Sequence, residues 1–197
     1  MSRLRDAVTL DHQCWSIAVG STFFALATVP GMPTSAIVAN VLCFVGSWFF
    51  TCAAWIQLVR SSPEGTVEWY SAATQFGGTV LFNVSTGAAV WAHAVLPERR
   101  LVWAPDATGS VAFLVSGVLA VLAVNADVGR WAPGTVEWQS GWINLAGCVA
   151  FAVSAVSAFV TATGAAVDPA VAAAGTFVGA LCFLVAALLL LPAGRRL

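Results

Sequence analysis

Apolar residues fill this chain in six long runs, each closed by a short cluster of Pro, Gly or charged residues. The first predicted helix extends from about His12 to Val29 and stops at Pro30-Gly31-Met32-Pro33. The second extends from about Thr34 to Val59, before Arg60 and the polar loop Ser61-Ser62-Pro63-Glu64-Gly65. The third extends from about Trp69 to Val95, ahead of Pro97-Glu98-Arg99-Arg100, and the fourth from about Pro105 to Val124, ahead of Asn125-Ala126-Asp127. The fifth extends from about Trp138 to Thr163, and the sixth starts at Pro169 and ends near Leu191-Pro192. About 20 apolar residues suffice to cross the hydrocarbon core of a bilayer, and each run is of that order. Asp168 before Pro169 is a good helix start, because the carboxylate caps free amides and Pro suits the first turn. Asp106, just after Pro105, takes the first-turn acidic position of the fourth helix in this reading.

A repeat lies inside these runs. Gly and Phe recur four residues apart once in each: Gly20 and Phe24, Gly46 and Phe50, Gly78 and Phe82, Gly109 and Phe113, Gly147 and Phe151, Gly179 and Phe183. Seven residues after each Gly stands a small residue: Ala27, Ala53, Ser85, Ser116, Ser154 and Ala186. With 17 Gly and 12 Phe in 197 residues, chance supplies about one such pair, so the recurrence is a true internal period. Positions i, i+4 and i+7 share a helix face. In lipid, where helices have little hydrophobic drive to associate, small residues that admit close backbone approach form the interface. The stripe is therefore read first as a helix-packing code, with the ring of one helix filling the notch of another.

A longer repeat joins the runs in pairs. Gly65-Thr66-Val67-Glu68-Trp69-Tyr70-Ser71 and Gly134-Thr135-Val136-Glu137-Trp138-Gln139-Ser140 agree at six of seven positions. Each Glu precedes its helix Gly, Gly78 or Gly147, by ten residues. The expected fold is all-α: one membrane domain over 1–197, a polytopic bundle of six transmembrane helices in three tandem helical hairpins, about 12–60, 68–127 and 137–192. The first hairpin is the most diverged, with Leu10 and Asp11 where Glu and Trp would stand. Gly-Ser-x-x-Phe runs at Gly20, Gly46 and Gly109, with Trp ahead of the stripe, resemble the YrhK-like family of small bacterial membrane domains. The resemblance covers all three hairpins. It implies membrane residence and carries over no activity and no functional residue.

Composition agrees with the pattern. Only 9% of residues are charged and 59% are hydrophobic, where a soluble domain has about 25% charged. Arg3 and Arg5 precede a run that starts late and continues into a full span, unlike a cleaved signal. Arg3, Arg5, Arg60, Arg130, Arg195 and Arg196 fall on one side of the expected topology, and Arg99 and Arg100 on the other. The positive-inside rule then places both termini in the cytoplasm, with the plasma (inner) membrane as location. Trp15, Trp69, Trp91, Trp103, Trp131 and Trp138 fall near span ends, as an interfacial aromatic belt requires.

Candidate chemistry is sparse. All eight basic residues are Arg, which excludes Lys Schiff-base and Lys-nucleophile chemistry. The five cysteines lack CxxC spacing and read as inert apolar thiols. His12 and His93 fall at opposite ends of the expected bundle, which disfavours one haem using both and leaves a single-His site open. No metal, cofactor, catalytic group, phosphate loop or nucleic-acid surface is expected. The polar candidates are Glu68 and Glu137, a pair of helix-start carboxylates that could also meet a cation or a basic partner, and Gln75, Asn83 and Asn144 within the spans. Gln75 and Asn144 both stand three residues before a stripe Gly. No charged residue is placed at mid-membrane in this reading, which counts against an ion-coupled pump.

Three roles follow. The first is a non-enzymatic structural or accessory subunit that associates with other membrane-protein subunits, or with itself, through small-residue helix faces within the lipid bilayer. The second is a small channel or transporter with a path between hairpin repeats, which requires Gln75, Asn83 and Asn144 to line one cavity and fails if they face separate helix contacts. The third, ranked last, is a membrane enzyme acting on lipid or quinone.

Overall fold

Local capping signals set where the helices begin. In the computed structural model, which describes residues 9–32, 34–61, 63–91 and 94–191, helix α1 (Leu10–Ala27) starts at Thr9, whose side chain accepts from the His12 amide while the His12 ring returns the bond to the Thr9 backbone. This reciprocal cap satisfies amides that a helix start leaves free. It also gives His12 a structural duty; His93 lies outside the described residues. Ser35 caps α2 (Ala36–Arg60) through the Val38 amide, and Thr66 caps α3 (Val67–Ala89) through that of Trp69. Glu68 and Glu137 occupy the first turns of α3 and of α5 (Val136–Ser157). Asp168 accepts from the Ala170 and Val171 amides at the head of α6 (Pro169–Leu190).

The fourth helix departs from the sequence reading. The third helix already ends at Ala89, and α4 is continuous from Val95 to Val128. Pro97 therefore stands in a first turn, where its missing N–H costs nothing, and the expected loop at Glu98-Arg99-Arg100 is helical. Residues Glu98–Trp103 are π-helical. A proline inside an α-helix clashes with the carbonyl four residues earlier; a wider π turn ahead of Pro105 relieves that conflict. Asp106 is thus inside a helix rather than at its free end. The fifth helix also stops short, at Ser157, and the chain turns back through a bridge between Val160 and Ala166.

Among the described residues the fold is all-helical apart from that bridge. Four helices, α2, α4, α5 and α6, are long and apolar enough to cross a membrane. The other two, α1 and α3, are more polar: α1 carries Asp11, His12 and Gln13, and α3 carries Glu68, Gln75 and Asn83. Each helix packs on its chain neighbours, and α1 also packs on α6, so the six close into a ring.

The centre of the ring is aromatic. Phe24, Phe50, Phe82, Phe113, Phe151 and Phe183 are all buried and belong to one core cluster. They stack in pairs, Phe24 on Phe50, Phe82 on Phe113 and Phe151 on Phe183, with centroids 5.2, 4.8 and 5.2 Å apart. Edge-to-face contacts link the pairs: Phe24 and Phe82 to Phe151 at 6.0 and 5.9 Å, and Phe50 to Phe183 at 5.9 Å. Such offset and T-shaped geometries suit the aromatic quadrupole.

Each ring sits where glycine makes room. A Cβ on Gly147 would stand 2.7 Å from the Phe183 ring, and one on Gly179 would stand 2.6 Å from the Phe151 ring. Gly78 and Gly109 meet Phe113 and Phe82 in the same way at 2.8 and 2.7 Å. Between α1 and α2 the backbones themselves meet, with a Cβ on Gly20 only 2.9 Å from the Gly46 carbonyl oxygen. The small residues Ala27, Ala53, Ser85, Ser116, Ser154 and Ala186 are buried beyond the rings. Hydroxyls tie the ends together. Ser71 donates to the Ser116 carbonyl at 2.9 Å, Ser140 to that of Ala186 at 3.0 Å, and Ser154 to that of Ala172 at 2.7 Å.

Candidate functional site: two cavities separated by a phenylalanine layer

Rings of six helices leave space on the axis wherever side chains are short or polar. Here the space divides in two. The first cavity, of about 340 Å³, is lined by the starts of α1, α3 and α5 and the ends of α2, α4 and α6, with Gln13, Gln57, Gln75 and Asn144 among its walls. The second, of about 290 Å³, is lined by the opposite ends of the same helices, including Thr28, Asn40, Thr86, Asp106 and Thr176. These linings also establish that neighbouring helices alternate in direction around the ring.

The phenylalanine layer lies between the cavities and presents a different triad to each side. Phe24, Phe82 and Phe151 line the second cavity. Phe183 lines the first, and Phe50, Phe113 and Phe183 line a void of about 30 Å³ that it shares with Gln57, Gln75 and Asn144. Odd-numbered helices thus close one side and even-numbered helices the other.

The residue three before each stripe glycine points along the same division. On α1, α3 and α5 it is Ile17, Gln75 and Asn144, all on the first cavity. On α2, α4 and α6 it is Cys43, Asp106 and Thr176, all on the second. Asp106 is the residue that sequence reasoning misassigned. Its spacing from Gly109 is that of Gln75 from Gly78, but Pro105 read as a helix start and concealed the equivalence. The expected first-turn place of Asp106 is corrected accordingly: it stands 11 residues past Val95, where its helix begins, on the wall of a cavity.

Four of the five polar candidates come together. Gln75 and Asn144 line the first cavity, and Glu68 and Glu137 line it with Arg60 and Asp127. The Gln75 carbonyl oxygen is buried without a hydrogen-bond partner among the described residues. Asn83 stands apart: its amide donates to Thr51 Oγ1 of α2 at 2.8 Å, a helix–helix contact. Arg60 also donates to Gln13 at 2.8 Å, tying the end of α2 to the start of α1.

Hydrogen bonds give the second cavity a marked polarity. Thr28 donates to the Phe24 carbonyl and Thr86 to that of Phe82, at 2.8 and 2.7 Å. Ser154 donates to Ala172, so the 2.8 Å contact between Ser154 and Thr176 has Thr176 as donor. Asn40 donates to the Ala89 carbonyl at 2.8 Å. Trp103 is part of this wall, and its indole donates to the Ala155 carbonyl at 2.8 Å. Trp91 and Trp131 are exposed. No group of three or more His, Cys, Asp or Glu among the described residues is placed to hold a metal ion.

Comparison with protein-family models, curated proteins and solved structures finds no match. The YrhK-like resemblance accordingly rests on the Gly-Ser-x-x-Phe runs alone.

Proposed function

We propose that this chain is a multi-pass membrane protein that forms a small channel or transporter, its six helices arranged as three tandem hairpins around a solute path. The observation that carries this reading is the pair of cavities at opposite ends of the ring, separated by one layer of six phenylalanines. All six helices contribute to each cavity. Polar groups away from water carry a large cost unless paired or solvated, and a bundle built only for packing has no use for such walls. Hydrophobic constrictions between wetted vestibules are a known way to gate a pore. Repeats with sites at their interface are typical of transporters, and helices of alternating direction that share one stripe suit an inverted relation between the two halves of the path. Gln75 and Asn144 line one cavity, but Asn83 is held on α2, so the expectation that all three would line it is not met, and the reading rests on the paired cavities instead. Both termini lie on the cytoplasmic side by the Arg distribution, so the first cavity opens inward.

The accessory-subunit reading is the second. Exposed Trp48, Tyr70, Trp91 and Trp131 offer apolar surface to lipid or to a neighbouring chain. The Gly–Phe stripes, however, are occupied between helices of this chain and are not the face a partner would take. A lipid- or quinone-directed enzyme has the weakest support: no histidine accompanies Cys43 and Asp106 on the second cavity among the described residues.

Flux in proteoliposomes tests the proposal. The purified full chain passes small polar solutes faster than protein-free vesicles, and Phe113→Ala or Phe183→Ala raises the rate by removing part of the barrier. Phe→Ala in a core costs about 3–5 kcal/mol of stability, so Phe113→Leu provides a milder variant with a smaller rise. Wild type and all three variants at the protein-free rate would overturn the reading.

A further inference from the structure

Resting on the solute-path reading, we propose that the second cavity binds a small organic ammonium ion, held by the Asp106 carboxylate beside aromatic walls; this names the class of solute.

Among the described residues, Asp106 is the only charged side chain on that cavity. Among the described residues no ion pair or hydrogen bond engages its carboxylate. Arg99, on the π-helical turn below, is committed elsewhere: its Nε donates to the Val160 carbonyl at 2.6 Å and its guanidinium lies 5.2 Å from the centre of the Phe159 ring. A carboxylate within a membrane span is expensive unless something compensates it, and such residues mark ligand and ion pathways. In this proposal a bound cation supplies that compensation.

The remaining walls select the guest. Thr28, Thr86, Ser154 and Thr176 spend their hydroxyl hydrogens on main-chain carbonyls or on one another. What they retain is lone pairs. A hydroxyl that has donated its only proton can accept but not donate, so these four offer lone pairs to an N–H donor, while Ser85 and the second amide hydrogen of Asn40 remain as donors on the same wall. With a carboxylate beside them, N–H donors are favoured over anions. Trp103, Phe24, Phe82 and Phe151 complete the lining, and aromatic rings attract ammonium groups and their alkyl substituents. A volume of about 290 Å³ is near the lower end of small-ligand sites. The first cavity differs in offering both signs of charge, Arg60 beside Glu68, Glu137 and Asp127, and has no Trp on its wall among the described residues.

Cys43 provides the readout, since it lines the same cavity. In the full chain with Cys43 as its only cysteine, propylammonium chloride slows alkylation of Cys43 by N-ethylmaleimide in a saturable way. Propan-1-ol, sodium propionate and sodium chloride at matched ionic strength do not. Asp106→Asn weakens the protection at least about tenfold, as loss of a charged contact requires, while Asp106→Glu retains part of it. Equal protection by propan-1-ol or sodium chloride, or undiminished protection in Asp106→Asn, would overturn the assignment. Undiminished protection would mean that a neutral carboxamide serves as well and that the charge of Asp106 does not hold the guest. Flux of neutral solutes without ammonium protection would overturn this inference alone; ammonium protection without any flux would leave the binding site standing and remove the path.

Discussion

Two adjacent glycines on α3 show how much a single position can carry. Gly78 faces the Phe113 ring, whereas a Cβ on Gly77 would meet nothing within 4 Å. Gly77→Ala should therefore leave the melting temperature in detergent unchanged or raised, because Ala is the better helix former by about 1 kcal/mol. Gly175 is the opposite case, with the Ala150 carbonyl oxygen 2.8 Å and the Ser154 amide nitrogen 3.0 Å from an added Cβ. Backbone cannot rotate aside as a ring can. Gly175→Ala should lower stability by about 1–3 kcal/mol, the usual cost of overpacking. A Gly175→Ala melting curve that superimposes on wild type would show that the backbones of α5 and α6 do not approach as described. Gly175 was invisible to the stripe argument, since it stands four residues before Gly179 and outside the Gly–Phe pair.

One helix start, at Asp168, was legible from its capping side chain; the caps at Thr9, Ser35 and Thr66 were not. The boundaries of α1, α2 and α6 lie close to those drawn from hydropathy. The third and fourth helices were misdrawn for a physical reason: Pro97 and Pro105 are both compatible with a helix start, and only packing decides between them. The chain uses Pro97 near the first turn and absorbs Pro105 through the π-helical stretch Glu98–Trp103. That choice places Trp103 within hydrogen-bonding reach of the end of α5. Trp103→Phe should cost about 0.5–1.5 kcal/mol, the net value of one hydrogen bond, as read by thermal denaturation. A neutral substitution would fit a Trp that merely anchors the interface. Hydropathy alone also undersells α1 and α3, whose polar residues Gln13 and Gln75 face an internal cavity.

At the scale of the whole molecule, the Gly–Phe period foretold which rings would meet their neighbours, but not that all six would meet each other. Closure of the ring depends on contact between α1 and α6, the most distant pair along the chain, and no local pattern encodes it. Nor could periodicity reveal that the rings form a partition. The positions three before each glycine held that information. Gln75 and Asn144 were noticed, but Asp106 was hidden by its proline and Cys43 and Thr176 by their ordinary chemistry. The central claim is that this phenylalanine layer separates two water-filled cavities opening to opposite faces of the membrane. Thiol labelling with a membrane-impermeant maleimide tests it most directly, using one variant that keeps only Cys43 and another that carries only Ala120→Cys, which falls on the first cavity. In oriented vesicles, Cys43 should react only from the outer face and Ala120→Cys only from the cytoplasmic face. Labelling of both from the same face, or of neither from any face, would contradict the account.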